Sequence, residues 1–302
     1  KMELVMGPLP GAERKVPLDV KIAEETKLDG YTRKKLTFAA EKGDRVPAWL
    51  LIPDPAKFPG KRPAVLCLHQ TIAIGKDEPV GLGVQESKRV ALHLVRRGYV
   101  CIAPDYPGFG EYKYDFARSP YASGCMKAIW NNLRAVDLLQ SLPEVDPDRI
   151  GAIGHSLGGH TAMFSAAFDE RIKVVVSSCG FCSFRTYYDG NLTGWTSPRY
   201  MPRIASVYGK DPAKMPFDFA DIVSSFAPRA FLAVAPEKDS NFAVDGVREV
   251  MAAAKPAYEK AHAAEKLKAI YPPGGHDFPE EAREEAYAFL DRWLGEAGAD
   301  HR

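Results

Sequence analysis

Along the chain, short and nearly continuous apolar runs alternate with stretches of helical periodicity. The runs are Ala64–Leu68, Tyr99–Ala103, Ile150–Ile153, Val174–Val176, Phe231–Val234 and Leu267–Ile270. A strand covered by helices on both faces has no solvent side for polar residues, so such runs predict a parallel sheet. Between them, Glu86–Arg97 sets Val90, Ala91, Leu94 and Val95 on one helical face. Met126, Ile129, Trp130, Leu133, Val136 and Leu139 do the same for a helix over 125–141. The helical rhythm is expected again from Asp169 onward, over Val244–His262 and over Glu280–Leu294. The first 55 residues have another texture. Lys34–Phe38 and Val46–Ile52 alternate polar and apolar positions, with turn residues at Leu28-Asp29-Gly30 and Lys42-Gly43-Asp44, which predicts antiparallel strands. The order describes one doubly wound α/β domain over 1–302, with an antiparallel N-terminal β extension at about 1–55.

One segment breaks the alternation. From Gly180 to about Asp221 there is no clear period, and the stretch carries Phe181, Phe184, Tyr187, Tyr188, Trp195, Tyr200 and Tyr208 with Arg185, Arg199 and Arg203. So long an irregular connection between two strands is usually functional, and a small cap-like insertion walling the substrate is expected. Its truncation is expected to change substrate preference more than the reaction of a small activated ester.

Composition narrows the picture. The chain has 302 residues, with 40 Lys+Arg against 39 Asp+Glu and a formal charge of +1. That balance lacks the basic field wanted by nucleic acid or an anionic membrane, so neither is expected as a partner. No apolar run approaches a bilayer span. The opening residues lack a positively charged stretch followed by an apolar run. The expectation is a cytoplasmic protein, or a secreted or periplasmic one from which a signal peptide was removed. The five cysteines are odd in number, and Cys67 and Cys101 sit in strand-like runs as small hydrophobes. Cys179 and Cys182 form a lone C-x-x-C that no second pair or nearby His completes into a metal site. No disulfide framework and no metal are expected.

The strongest chemical signal is Gly154-His155-Ser156-Leu157-Gly158-Gly159, which follows one predicted strand and opens a helical run from Leu157 to Phe168. Gly-x-Ser-x-Gly between strand and helix is a nucleophile elbow. The serine stands on a strained turn, so its neighbours two residues away must be small. The helix N-terminus behind it offers free N–H groups to a developing oxyanion. A serine hydroxyl needs a base, and the base an orienting carboxylate. Of the histidines beyond the elbow helix, His262 falls in a helical pattern and His301 is next to last. His276 follows the run ending near 271 on a loop at the right sheet edge. For the acid, Asp239 lies four residues past the run ending at Ala235, with Glu237 and Asp245 as rivals. Asp245 is expected to start or cap the next helix.

Residues 139–159, Ala103–Gly110 and Gly275-His276-Asp277-Phe278 resemble the α/β-hydrolase superfamily. Within it they look closest to the dienelactone-hydrolase-like and acetyl-xylan-esterase-like branch, which is akin to prolyl-oligopeptidase catalytic domains. The resemblance covers about residues 45–295. It implies an α/β-hydrolase fold of about eight strands and a serine hydrolase with Ser156, Asp239 and His276 as triad, without cofactor. The family's loop after the third strand usually reads His-Gly, where this chain has His69-Gln70-Thr71. The resemblance places one oxyanion donor on Leu157 and the second on the Gln70 backbone, with Thr71 as the alternative.

Other residues rank lower. His69 and His155 are read as structural, and His160, one turn past Ser156, as a satisfied core histidine. Tyr106 is placed at the pocket mouth. Trp195 and the tyrosines of that segment, Tyr187 foremost, are candidates for stacking on a sugar ring, and Arg185 or Arg199 for pairing with a carboxylate. Lys76-Asp77-Glu78 reads as a solvated charge run. The expected activity is hydrolysis of small carboxylic esters through an acyl-enzyme, with short acyl groups and carbohydrate alcohols expected from the resemblance. The alternatives are a peptidase with the same triad and a non-catalytic binding protein on a hydrolase fold.

Overall fold

The computed structural model describes residues 1–295. Its strands are β1 (Lys21–Leu28), β2 (Tyr31–Glu41), β3 (Asp44–Pro53), β4 (Arg62–Leu68), β5 (Val100–Pro104), β6 (Val145–His155), β7 (Ile172–Ser178), β8 (Ala230–Val234) and β9 (Leu267–Ile270). They form one sheet in the order β1-β2-β3-β5-β4-β6-β7-β8-β9. Pairing is antiparallel from β1 through β3 to β5 and parallel from β5 to β9. All six apolar runs are therefore parallel strands, in the expected doubly wound arrangement.

Helices cover both faces: α1 (Met2–Met6), α2 (Val90–Arg96), α3 (Gly124–Ser141), α4 (Leu157–Phe168), α5 (Arg203–Ser206), α6 (Phe219–Phe226), α7 (Val244–Lys260) and α8 (Glu280–Leu294). Period-two alternation divides the core between the faces. Leu66 of β4 lies in the core shared with α3, α4, α6 and α7, while its neighbours Val65 and Cys67 lie in the core shared with α2 and α8. No described helix is long and apolar enough to cross a membrane.

Several expectations need correction. The sheet has nine described strands, in keeping with the expected count of about eight, but β1 was not foreseen. It is exposed along its whole length and carries no apolar alternation. Cross-strand charge pairs hold it, with Glu24 against Lys35 and Glu25 against Lys34. Charged edges of this kind also discourage pairing with another chain. No helix follows Asp169: its carboxylate folds a turn by accepting from the Arg171 N–H at 3.1 Å, and β7 begins at Ile172. His262 lies just past α7 at φ 51° rather than inside it.

The segment 180–221 is neither irregular throughout nor separable. It ends in the start of α6, whose Phe219, Ile222, Val223 and Phe226 follow the i, i+3, i+4, i+7 spacing behind an Asp218–Asp221 capping box. Phe181, Phe184, Leu192, Trp195, Met201, Ile204 and Phe217 are buried in the main core with α4 and α7. Deleting the segment would open that core, so truncation cannot isolate a change of substrate preference.

Candidate active site

The chain runs outward from β4 to β5, then returns past β4 to β6. The β4 and β6 ends thus flank a topological switch point, where open α/β sheets form ligand crevices. Ser156 sits there between β6 and α4, at φ 54° and ψ −116°, a conformation that L-residues rarely adopt. The two flanking glycines make that turn possible. A Cβ on Gly154 would stand 2.3 Å from the Gly158 backbone, and one on Gly158 would stand 2.1 Å from the Leu68 carbonyl oxygen. The end of β4 is thereby pressed against the start of α4, which brings the 69–71 loop beside the elbow. Leu157 is the first residue of α4, so no carbonyl four residues back within the helix is available to its N–H.

Asp239 and His276 come from the loops after β8 and β9. His276 Nδ1 lies 2.9 Å from both Asp239 carboxylate oxygens. Burial by itself would push the Asp239 pKa up. The His276 bond and charge, with N–H donation from Asn241 (2.8 Å) and Phe242 (3.2 Å), outweigh it and hold the carboxyl below its ordinary value. The rivals face elsewhere: Glu237 and Asp245 both pair with Arg248 near the surface. His301 lies outside the described residues. No hydrogen bond joins Ser156 Oγ to His276 among the described residues, although the ring of His155 lies 4.9 Å from that of His276.

The loop carrying His276 is tied down from two sides. Buried Lys88 pairs with Asp277, and Ser87 Oγ donates to the same carboxylate at 2.8 Å. Cys179 Sγ donates to the Asp277 carbonyl at 3.3 Å. Cys179 and Cys182 are both free and buried, so the C-x-x-C is no disulfide.

The supporting histidines have definite roles. His69 Nε2 accepts from the Tyr106 N–H at 3.0 Å, which leaves Nδ1 to donate to the Gln70 carbonyl at 2.6 Å. Burial pushes its pKa down to about 4, so the ring is a neutral brace for the oxyanion-side loop. His155 is buried against Ser178 Oγ at 3.0 Å, with its pKa held well below the usual value by burial. His160 is only half satisfied: Nδ1 faces the Gly180 carbonyl at 3.2 Å, while Nε2 has no partner.

Lys76-Asp77-Glu78 is not a solvated run, because Lys76 and Glu78 are buried. Lys76 Nζ meets Glu111 at 2.6 Å and Asp105 at 3.2 Å, and Asp105 also accepts the Lys76 and Glu111 N–H groups. Three successive charges look solvated in sequence, but carboxylates from the connection after β5 neutralise the lysine. The network braces the loop that begins with His69-Gln70-Thr71.

A cavity of about 180 Å³ opens at Ser156. It is lined by Thr71, Leu157 and His160, by the aromatic residues Tyr187, Tyr188, Trp195 and Tyr200, and by Gly194, Asn241 and Phe242. Of the expected substrate-side residues, Tyr187 and Trp195 line it, as do the tyrosines Tyr188 and Tyr200. Tyr106 does not: its buried hydroxyl donates to the Arg199 carbonyl at 2.7 Å, tying the insertion to the sheet. Arg185 does not either, since its side chain is exposed and pairs with Glu249 of α7. Gln70 is buried and is not among the lining residues, its side-chain amide nitrogen is unpartnered, and Thr71 is the loop residue that reaches the cavity. His160, Asn241 and Phe242 were not singled out from sequence as substrate-side residues. The four-residue step from Ser156 and the positions two and three residues past Asp239 were the available signals.

Comparison with known proteins places these features. Residues 86–299 match the prolyl oligopeptidase family. YtaP of Bacillus subtilis (strain 168), named as a hydrolase, is 30% identical over 265 residues, covering 83% of this chain and 84% of that protein. Among solved structures, a glucuronoyl esterase from Solibacter usitatus superposes with a TM-score of 0.73 at 19% identity, over 95% of this chain and 88% of that one. An acetyl xylan esterase from Paenibacillus sp. R4 gives 0.66 at 19% identity, over 92% and 90%.

Proposed function

Since the chain belongs to the prolyl oligopeptidase family and has the α/β-hydrolase fold, we propose that it is a serine hydrolase of short-acyl carboxylic esters, with carbohydrate esters as its substrates. Ser156 Oγ attacks the acyl carbon. His276 takes the proton through Nε2 and returns it to the leaving alcohol, while Asp239 fixes the imidazole tautomer. The Leu157 N–H holds the oxyanion together with an N–H of the 69–71 loop, from Gln70 or from Thr71, the residue of that loop that reaches the cavity, and water then cleaves the acyl-enzyme. The observation that carries the reading is the His276 Nδ1 contact with both Asp239 oxygens, which leaves Nε2 for the serine. Catalytic hydrogen bonds to the nucleophile are often long before substrate binds and tighten in the complex. The esterases named above share this fold and lend the substrate class.

The family name favours a second reading, a peptidase with the same triad. Against it, the described lining of the cavity contains no carboxylate that would clamp a substrate's free amine.

The test is a rate comparison of wild type and Ser156→Ala on p-nitrophenyl acetate, p-nitrophenyl octanoate, an acetylated sugar and an aminoacyl p-nitroanilide. The acetates are expected to be preferred, with kcat falling on the order of a million-fold in the variant. Turnover of the anilide alone would make the protein a peptidase. Silence on all four would support the binding-protein reading, and a loss below about tenfold would show that Ser156 is not the nucleophile.

A further inference from the structure

Two side chains in the cavity wall hold polar atoms that nothing in the fold satisfies. His160 is 4% exposed, and because a carbonyl only accepts, its Nδ1 must donate to Gly180. Its Nε2 is then a bare lone pair, and it has no partner. Burial pushes the ring's pKa down to about 3, which keeps it in that neutral form. Trp195 is 3% exposed, and its Nε1–H has no acceptor. The two rings meet edge to face with centroids 4.7 Å apart. Of the other three indoles, Trp49 Nε1 donates to Asp77 at 2.6 Å and Trp130 Nε1 to the Ala40 carbonyl at 3.0 Å, while Trp293 Nε1, far from the nucleophile in the sequence, has no partner either. A buried polar group left unpaired in a native structure calls for an explanation, and two adjacent ones beside a nucleophile point to a ligand.

The chemistry of the pair selects that ligand. A carboxylate would suit the indole N–H but be repelled by the imidazole lone pair. An ammonium would suit the lone pair but meet the indole N–H, with no carboxylate among the described lining residues. A hydroxyl satisfies both, donating its proton to one and accepting from the other. We propose that His160 Nε2 and Trp195 Nε1 together read a hydroxyl of the substrate, so that the cognate ester carries a hydroxyl near its reacting carbonyl. His160 stands in the first turn of α4, four residues after Ser156, and both line the same cavity, which sets that hydroxyl beside the nucleophile. This rests on the esterase reading and sharpens it. The neighbouring aromatic rings of Tyr187 and Tyr200 suit a six-membered sugar ring better than a flexible chain.

The experiment compares methyl 6-O-acetyl-glucopyranoside with cyclohexylmethyl acetate, which keeps the ring and loses every hydroxyl. The ratio of their kcat/KM values is measured for the intact protein and for Trp195→Phe and His160→Phe, each first checked for folding by circular dichroism. Wild type is expected to favour the glucoside, and each variant to lower the ratio by about tenfold, as loss of one partner of a buried hydrogen bond does. A wild-type ratio near one, or a ratio unchanged in a folded variant, overturns the proposal and would mean that the pair holds buried water only. Should either variant fail to fold, inhibition of wild type decides. Methyl glucopyranoside must then inhibit the acetate reaction more strongly than cyclohexylmethanol, and equal inhibition overturns the proposal. Failure of wild type to hydrolyse either acetate, or p-nitrophenyl acetate, sinks the esterase reading itself, which is a separate result.

Discussion

His276 presents one ring nitrogen to Asp239, equidistant at 2.9 Å from the two carboxylate oxygens. A symmetric acceptor of this kind holds the Nδ1–H tautomer and stabilises the imidazolium formed during proton transfer. Asp239→Asn is expected to keep the loop geometry, because the Asn241 and Phe242 N–H groups still meet a side-chain oxygen. It would nevertheless lower kcat by about 10⁴, with KM changed only a few-fold. Steady-state kinetics on p-nitrophenyl acetate check this, and a drop under tenfold would remove Asp239 from the triad.

The Lys88–Asp277 pair leads to a pH prediction. Burial alone would raise the Asp277 pKa, but Lys88 and Ser87 hold the carboxyl well below its ordinary value. Burial dominates for Lys88, the more enclosed partner, and its pKa is lowered. A carboxylate with a depressed folded pKa stabilises the protein above its unfolded value, near 3.9, and that stabilisation fades as pH falls toward the folded value. The melting-temperature gap between wild type and Asp277→Asn is therefore expected to stay constant from pH 7 to about 5 and to shrink below about pH 4. A gap that widened on acidification would contradict the assignment.

Lys76 is the buried centre of a network with buried Asp105 and with Glu111 at the surface. Burial raises the Asp105 pKa despite the lysine beside it, so its carboxylate depends on that partner. Lys76→Met strands the negative charge and is expected to cost about 3–5 kcal/mol of stability, as breaking a buried pair does. Adding Asp105→Asn to Lys76→Met is expected to recover part of the loss. Urea denaturation of the single and double variants measures both, and a single variant within about 0.5 kcal/mol of wild type would show that the network is not needed for stability.

Much of the sheet was legible because its strands are buried on both faces and read as unbroken apolar runs, from Ala64–Leu68 to Leu267–Ile270. The elbow was legible too, since Gly154 and Gly158 are demanded by contacts within a few residues of Ser156. Strand β1 was not, because it is held by the Glu24–Lys35 and Glu25–Lys34 pairs rather than by burial. Helix α6 hid behind an aromatic-rich segment whose Phe181 and Phe184 belong to the core it joins.

The chain's local order determined the strand–turn–helix at Ser156, the place of Asp239 and His276 on later loops, and the alternation that builds the sheet. These follow from short-range sterics and period, which neighbouring residues carry. Only the tertiary structure decided that Lys76 is buried rather than solvated, that Tyr106 braces Arg199, that Arg185 turns outward to α7, and that His160 and Trp195 share a cavity with unpaired nitrogens. Each of those outcomes depends on partners far away in the chain. Burial and hydrogen-bond satisfaction are properties of what the fold brings alongside a residue, and no local pattern contains them.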